Sequence, residues 1–145
     1  MTENSYILDI TGIMSRYDSL VQSLRLFLES ENFPSVEAHL VRYINECSKF
    51  ESQIISLKSE IMITKSSYKH IYQVNLREAY DRTSRFDPVQ KWQSDILVYG
   101  EGSVIDAKKA VDILESLEKT LDEYKWLVKS QRESAKECYK FLSEE

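Results

Sequence analysis

Glycine and proline are scarce in this sequence, which has three glycines and two prolines in 145 residues. Because these residues mark turns, their scarcity argues against a β-rich fold with many short connections. No run of eighteen apolar residues occurs, so no membrane-spanning helix is expected. The first residues lack the basic start and apolar stretch of a secretory signal peptide, which makes the cytoplasm the expected location.

Cysteine and histidine are also rare, and their spacing fits no metal or catalytic motif. Cys47 and Cys138 are far apart, and in a chain without secretory features we expect two free thiols in a reducing compartment. His39 and His70 stand alone, without a Cys-x-x-Cys, Glu-x-x-His or phosphate-binding glycine motif nearby. The sequence therefore predicts a non-enzymatic binding protein with no metal site and no cofactor.

Three stretches have apolar residues alternating at spacings of four and three, which is typical of amphipathic and coiled-coil helices. They cover about residues 9–30, 36–76 and 103–142. The second stretch is the most regular, and it predicts a helix roughly 60 Å long that needs a partner of similar length. Its predicted seam consists of Val36, Leu40, Tyr43, Cys47, Phe50, Ile54, Leu57, Ile61, Thr64, Tyr68, Ile71 and Asn75.

The connector between the two long helices, about residues 76–102, has a different character. Asp87 and Pro88 predict the start of a short helix, as N-cap and first-turn residue. The glycines at positions 100 and 102 end that helix, although residues 95–99 could instead form a brief strand. Ser103-x-x-Asp106 resembles a capping box and predicts the start of the last helix.

Together these patterns predict an all-α fold: a long antiparallel helical hairpin with coiled-coil heptads plus an extra N-terminal helix. Residues 1–34 contain the N-terminal amphipathic helix, and residues 35–145 contain the hairpin with its basic connector, within a single domain overall. The two long helices could pair within one chain, across subunits, or both. Because the apolar stripes exceed what one hairpin can cover, we predict a homo-oligomer. Its predicted contacts are Leu117, Leu121, Tyr124 and Val128.

Charge is unevenly distributed in a chain whose net charge is −5. Residues 63–91 contain six Lys/Arg against three Asp/Glu, a local net charge of +3, and several aromatic residues lie among them. Cations that follow phosphates and rings that stack on bases suit single-stranded nucleic acid, whereas the simpler alternative is a solvated helix end. The predicted nucleic-acid-binding residues are Lys65, Lys69, Tyr72, Arg77, Tyr80, Arg82, Arg85 and Lys91.

Several stretches between Val36 and Leu142 also resemble a known family. Residues 54–60 read Ile-x-x-Leu-Lys-x-Glu, and residues 91–96 read Lys-x-x-x-acidic-apolar. A helix led by Val104 follows, with Leu-Asp-x-x-Lys and Lys-Ser within residues 121–130 and a basic, aromatic tail at residues 136–141. In these features the chain resembles the UvsY-type recombination mediators of tailed phages.

That resemblance implies a helical oligomer in the host cytoplasm that binds single-stranded DNA and loads a phage recombinase past a single-strand-binding protein. Lys69 is the counterpart of the family's basic residues late in the long helix, whereas Ile71 stands where a second basic residue would be. The alternative is a structural or adaptor coiled coil, such as a phage assembly chaperone or scaffold, with no nucleic-acid role. Clustering of the cations on one face would favour DNA binding, and dispersal among carboxylates would favour the adaptor.

Overall fold

The chain forms four α-helices and no strand in the part that the structure, a computed structural model, describes: residues 3–29, 33–84 and 90–144. The helices are α1 (Glu3–Glu29), α2 (Phe33–Ser84), α3 (Lys91–Tyr99) and α4 (Gly102–Ser143). The predicted all-α fold is therefore confirmed. Residues 95–99 belong to a helix, so the alternative of a brief strand is wrong.

The two long helices, α2 and α4, pack against each other as an antiparallel hairpin, as predicted. Ion pairs fix their register, because Lys58 contacts Asp122 at 2.6 Å and Lys65 contacts Glu118 at 2.9 Å. The partner number on α4 falls as the number on α2 rises, which is the signature of antiparallel helices. The centre of the interface is fully buried, and it contains Cys47, Ile54, Ile61, Leu114, Leu121 and Val128.

Helix α1 lies in one of the two grooves between α2 and α4 and completes a three-helix bundle. The Tyr6 hydroxyl lies 2.6 Å from Thr64 Oγ1 near one end of α1, and the Phe27 ring stacks on His39 near the other. Since Tyr6 pairs with the later residue of α2, α1 runs antiparallel to α2. The four-three spacing of α1 predicts an apolar face from Ile10 to Leu28. This face packs against the core as far as Leu24, but Leu28 is exposed and Phe27 packs against the core in its place.

Helix α2 departs from its predicted seam after Tyr68, which still packs against the core. Ile71, a predicted seam residue, is 45% exposed, and the buried face passes instead through Tyr72, Leu76 and Ala79. The physical reason is a change of neighbours, because the N-terminal end of α1 lies near Thr64 and α3 packs against the following turns of α2. The side chains that meet α3 form a second apolar cluster with Val98 and Val104.

The helix boundaries near the connector also differ from the predicted ones. Helix α2 continues two turns past residue 76 to Ser84. Helix α4 begins at Gly102 with Glu101 as its N-cap and no side-chain cap, so the predicted capping box at Ser103 is wrong. Ser103 lies inside the helix, where its carbonyl accepts a hydrogen bond from Asn75 Nδ2 at 3.2 Å. Asp87 and Pro88, the predicted start of α3, lie outside the described residues.

Two tyrosines and a glutamine join the three helices inside the core. The Tyr17 and Tyr43 hydroxyls lie 3.1 Å apart, and both donate to Gln131 Oε1 on α4. Burial, together with the neighbouring Tyr43 hydroxyl, raises the pKa of Tyr17 well above its usual value. Burial likewise raises the pKa of Tyr43 to about 12.

These raised pKa values predict loss of stability in base. A phenol whose pKa is higher in the folded than in the unfolded chain stabilises the fold fully below pH ~10, and that stability falls as pH rises further. Each such phenol lowers the free energy of unfolding by up to about 1.4 kcal/mol for each pH unit above its unfolded-state pKa. Urea unfolding of wild type and of the Tyr17→Phe/Tyr43→Phe variant between pH 8 and 11.5 measures it. The variant should lose less stability between pH 10 and 11.5, and equal losses would contradict the prediction.

Candidate functional site

The basic segment predicted to bind DNA extends along the last turns of α2 toward α3. Lys65 is mostly buried and pairs with Glu118 of α4, whose side chain is also mostly buried. Lys69, one turn further, lies 3.8 Å from Glu115 of the same helix. These two cations therefore hold α2 to α4, and carboxylates of this chain occupy the position that phosphates would take.

Of the remaining described cations of the segment, one has a carboxylate partner and two are exposed. Arg82 pairs with Glu101 at the α3–α4 junction, and this hydrogen bond raises the pKa of the guanidinium. Arg77 and Lys91 are exposed and have no ion pair with the described residues. Arg85 lies outside the part of the chain that the structure describes. Three of the predicted phosphate ligands are thus dispersed among neutralising carboxylates.

The tyrosines of the segment, predicted to stack on bases, have partners within the chain. Tyr72 is half-buried and packs against the second apolar cluster. Tyr80 donates a hydrogen bond to Asp95 Oδ1 at 2.6 Å, and the Tyr99 ring stands edge-on to it with centroids 6.4 Å apart. The hydrogen bond to Asp95 raises the pKa of Tyr80. Both rings therefore anchor the α3 end of the hairpin.

The four residues predicted as subunit contacts lie in the chain's own core or at its edge. Leu121 and Val128 are fully buried, and Leu117 is half-buried. Tyr124 donates to the Met14 carbonyl at 3.3 Å and so contacts α1. A subunit contact through these side chains would require the three-helix bundle to open.

The cysteines and histidines form no reactive cluster among the described residues. Both thiols are free, as predicted. Cys47, a predicted seam residue of α2, is buried, whereas Cys138 is exposed, although the four-three spacing of the last helix also predicts a buried position for it. The seam of α4 instead passes through Ala135 and Tyr139 at this point. In residues 3–29, 33–84 and 90–144 no three His, Cys, Asp or Glu side chains come together as metal ligands would.

The groove that contains α1 continues beyond the N-terminal end of that helix. Tyr6 contacts α2 at Thr64, and the next turns of α2 and the facing turns of α4 line a cavity of about 430 Å³. The lining is uncharged apart from one carboxylate, and it consists of Tyr68, Ile71, Asn75, Ser103, Asp106, Ala107 and Ala110. We call this space the distal groove.

Comparison with family models, with curated proteins and with solved structures gave no match in any of the three. No described helix combines the length and apolar character needed to cross a membrane.

The distal groove was not predicted from the sequence, although one signal for it is present. The predicted α2 seam continues through Tyr68, Ile71 and Asn75, whereas the N-terminal helix is only about half as long as α2. A shorter helix that packs along a longer one must leave part of the seam without its third helix. The sequence does not show at which end this occurs, since that depends on the direction of α1.

Proposed function

We propose that this chain is a non-enzymatic helical adaptor, which binds an amphipathic α-helix of another protein in the distal groove. The observation that carries the proposal is the continuity of this groove with the groove occupied by α1. The same two helices, α2 and α4, form both walls, and α1 already demonstrates how a helix fits between them. Helix-in-groove binding through an apolar face is a common mode of peptide recognition.

The lining of the distal groove defines the helix that would fit it. Ala107 and Ala110 are small and buried, which allows a helix to approach α4 closely. Ile71 is half-exposed on the α2 wall, and it offers apolar surface to a partner. Asp106 is the one carboxylate of the lining. The fitting helix has an apolar stripe of about two turns, the length of each wall of the groove, and a Lys or Arg beside it, opposite Asp106.

The ion pairs within the basic segment also favour an adaptor over a DNA-binding protein. Lys65, Lys69 and Arg82 contact carboxylates of this chain, so phosphates would have to displace these partners. Affinity for single strands depends on cations that are free to neutralise phosphates. The chain's net charge of −5 adds repulsion around the exposed cations of the basic segment.

A labelled peptide of residues 6–20, which carries the apolar face of α1, tests the adaptor proposal. Its anisotropy should rise on titration with the full-length protein. The tethered α1 keeps its own groove because of its high effective concentration, which leaves the distal groove for the peptide. Ile71→Glu should weaken binding at least tenfold by placing a charge on the apolar wall. Val74→Glu, three residues away, exposed and outside the lining of the distal groove, is the matched control. Equal binding by both variants would contradict the proposal.

The recombination-mediator hypothesis makes a different prediction. It expects a salt-sensitive mobility shift of single-stranded DNA, weakened when Arg77 and Lys91 are changed to Ala. These are the exposed cations of the basic segment that form no ion pair with the described residues. The adaptor proposal expects no shift of a labelled oligonucleotide at 50 mM salt and micromolar protein. A shift that disappears at 200 mM salt would make the mediator, with recombinase and single-strand-binding protein as partners, the better proposal.

A further inference from the structure

Two outward heptad positions of α2 carry no charged residue over almost four heptads, although coiled-coil helices normally have charges there. With the seam residues Ile54 and Ile61 as heptad position a, the outward b and f positions from residue 41 to residue 66 contain no Asp, Glu, Lys or Arg. Outward positions of amphipathic helices are usually charged or strongly polar. We call these residues the outer row of α2: Val41, Asn45, Ser48, Ser52, Ile55, Ser59, Met62 and Ser66.

The outer row is exposed, and three of its members are large and apolar. Val41, Ile55 and Met62 are between 40% and 49% exposed, and the other members are exposed as well. The row extends over roughly 38 Å at 1.5 Å per residue. Helix α4 provides the contrast within the same molecule, because its exposed outward surface carries Lys109, Asp112, Lys119, Glu123, Glu133 and Glu137.

No other described part of the chain covers the outer row. Helix α1 contacts α2 on another side, at Gln53 and Thr64. The groove opposite α1 is crossed by the ion pairs of Lys58 and Lys65 with α4, so a helix cannot enter there. A partner on this side of the molecule would therefore pack on the outer row itself.

The outer row is complementary to itself when two α2 helices run antiparallel about a two-fold axis at Ser52. Such an axis places each residue i opposite residue 104 − i of the second copy. The outer-row residue nearest to Ile55 is then Ser48 of the second copy, and the one nearest to Met62 is Val41 of the second copy, each within one residue of directly opposite. A bulky side chain opposite a serine lets the helices pack closely, and two apolar side chains cover each other. Closed two-fold contacts require such a self-complementary surface.

The charges beside the outer row fit the same arrangement. The adjacent c positions contain Arg42, Lys49, Ser56 and Ile63. About the same axis, the c position nearest to Lys49 is Ser56 of the second copy, and the one nearest to Arg42 is Ile63 of the second copy, each within one residue of directly opposite. Like charges directly opposite each other would oppose pairing, and this register avoids them along this edge. A parallel pair would instead set Arg42 beside Arg42 and Lys49 beside Lys49.

We infer that the outer row of α2 is a homodimer interface, in which the α2 helices of two copies pack antiparallel about a two-fold axis near Ser52. The partner is thus a second copy of this chain, and the contact is separate from the distal groove. Because the outer row and the groove lie on different sides of α2, a dimer would present two grooves at once.

Sedimentation equilibrium of the full-length protein at micromolar concentration tests the interface. Wild type should sediment at twice the chain mass, and Ile55→Glu/Met62→Glu should sediment as a monomer with unchanged helicity. Leu8→Glu/Leu26→Glu changes the charge equally on exposed α1 positions, 72% and 68% exposed, and should remain a dimer. A monomeric wild type, or a dimer that persists in the Ile55→Glu/Met62→Glu variant, would overturn the inference.

Cysteine cross-linking then tests the orientation. In a Cys138→Ser background, Ser52→Cys should form a disulfide-linked dimer on mild oxidation, because the axis brings residue 52 next to its own copy. Ser66→Cys is the matched control, since it lies opposite Ala38 of the second copy and should not cross-link. Rapid cross-linking of Ser66→Cys at the rate of Ser52→Cys would indicate a parallel pair and overturn the antiparallel assignment.

Discussion

Replacing Glu51 by alanine should lower the free energy of unfolding by about 3–5 kcal/mol, the usual cost of breaking a buried ion pair on one side. Glu51 pairs with Arg132 between α2 and α4, and the two side chains are only 10% and 19% exposed. The Arg132 Nε is buried without a hydrogen-bond partner in the described structure. The carboxylates in contact with the guanidinium therefore provide most of the compensation for burying its charge. Glu133 still contacts it at 3.2 Å, which places the expected loss toward the lower end of the range.

Urea unfolding at pH 7 measures this loss. Two further variants serve as controls, one at an exposed ion pair and one that removes both charges of the buried pair. Asp112→Ala breaks the exposed pair with Lys108 at the i,i+4 spacing and should cost at most about 0.5 kcal/mol. Glu51→Leu/Arg132→Met removes both charges and should recover most of the stability, because no unpaired charge then remains buried. If Glu51→Ala cost no more than Asp112→Ala, the pair would not be buried in solution.

Leu121→Ala should destabilise the fold by about 2–5 kcal/mol, because it leaves a cavity among the three helices of the bundle. Leu121 is 1% exposed and belongs to the same core cluster as Tyr17, Ile54 and Ile61. Leu127→Ala, on the same helix but 45% exposed, is the control and should cost less than about 1 kcal/mol.

The same experiment separates a core residue from a subunit contact. A loss through the core of a single chain is independent of protein concentration, whereas a loss through a subunit interface grows on dilution. We expect the difference between wild type and Leu121→Ala to be the same at 1 and at 50 μM. A difference that increases at the lower concentration would restore Leu121 to the predicted oligomerisation contacts.

The sequence by itself determined the fold class and the two long helices. Scarce glycine and proline left few places for turns, and the four-three spacing from Val36 to Ile61 allows only one helical face to be buried. The antiparallel hairpin was predicted from two apolar stripes of similar length with continuous heptad spacing. Heptad spacing is a local property of the chain, so the neighbouring residues are sufficient to specify it.

The tertiary structure decided which parts of each stripe are covered and where the charges go. Ile71 fits the heptad as well as Ile61 does, yet only Ile61 is buried, because α1 ends before it reaches Ile71. Lys65 and Lys69 belong to a basic segment in the sequence, but the register of the hairpin places Glu118 and Glu115 beside them. Electrostatic partners and open grooves depend on contacts between residues about fifty positions apart. Local spacing contains no information about these contacts, so only the packed helices define the distal groove and the fate of the cations.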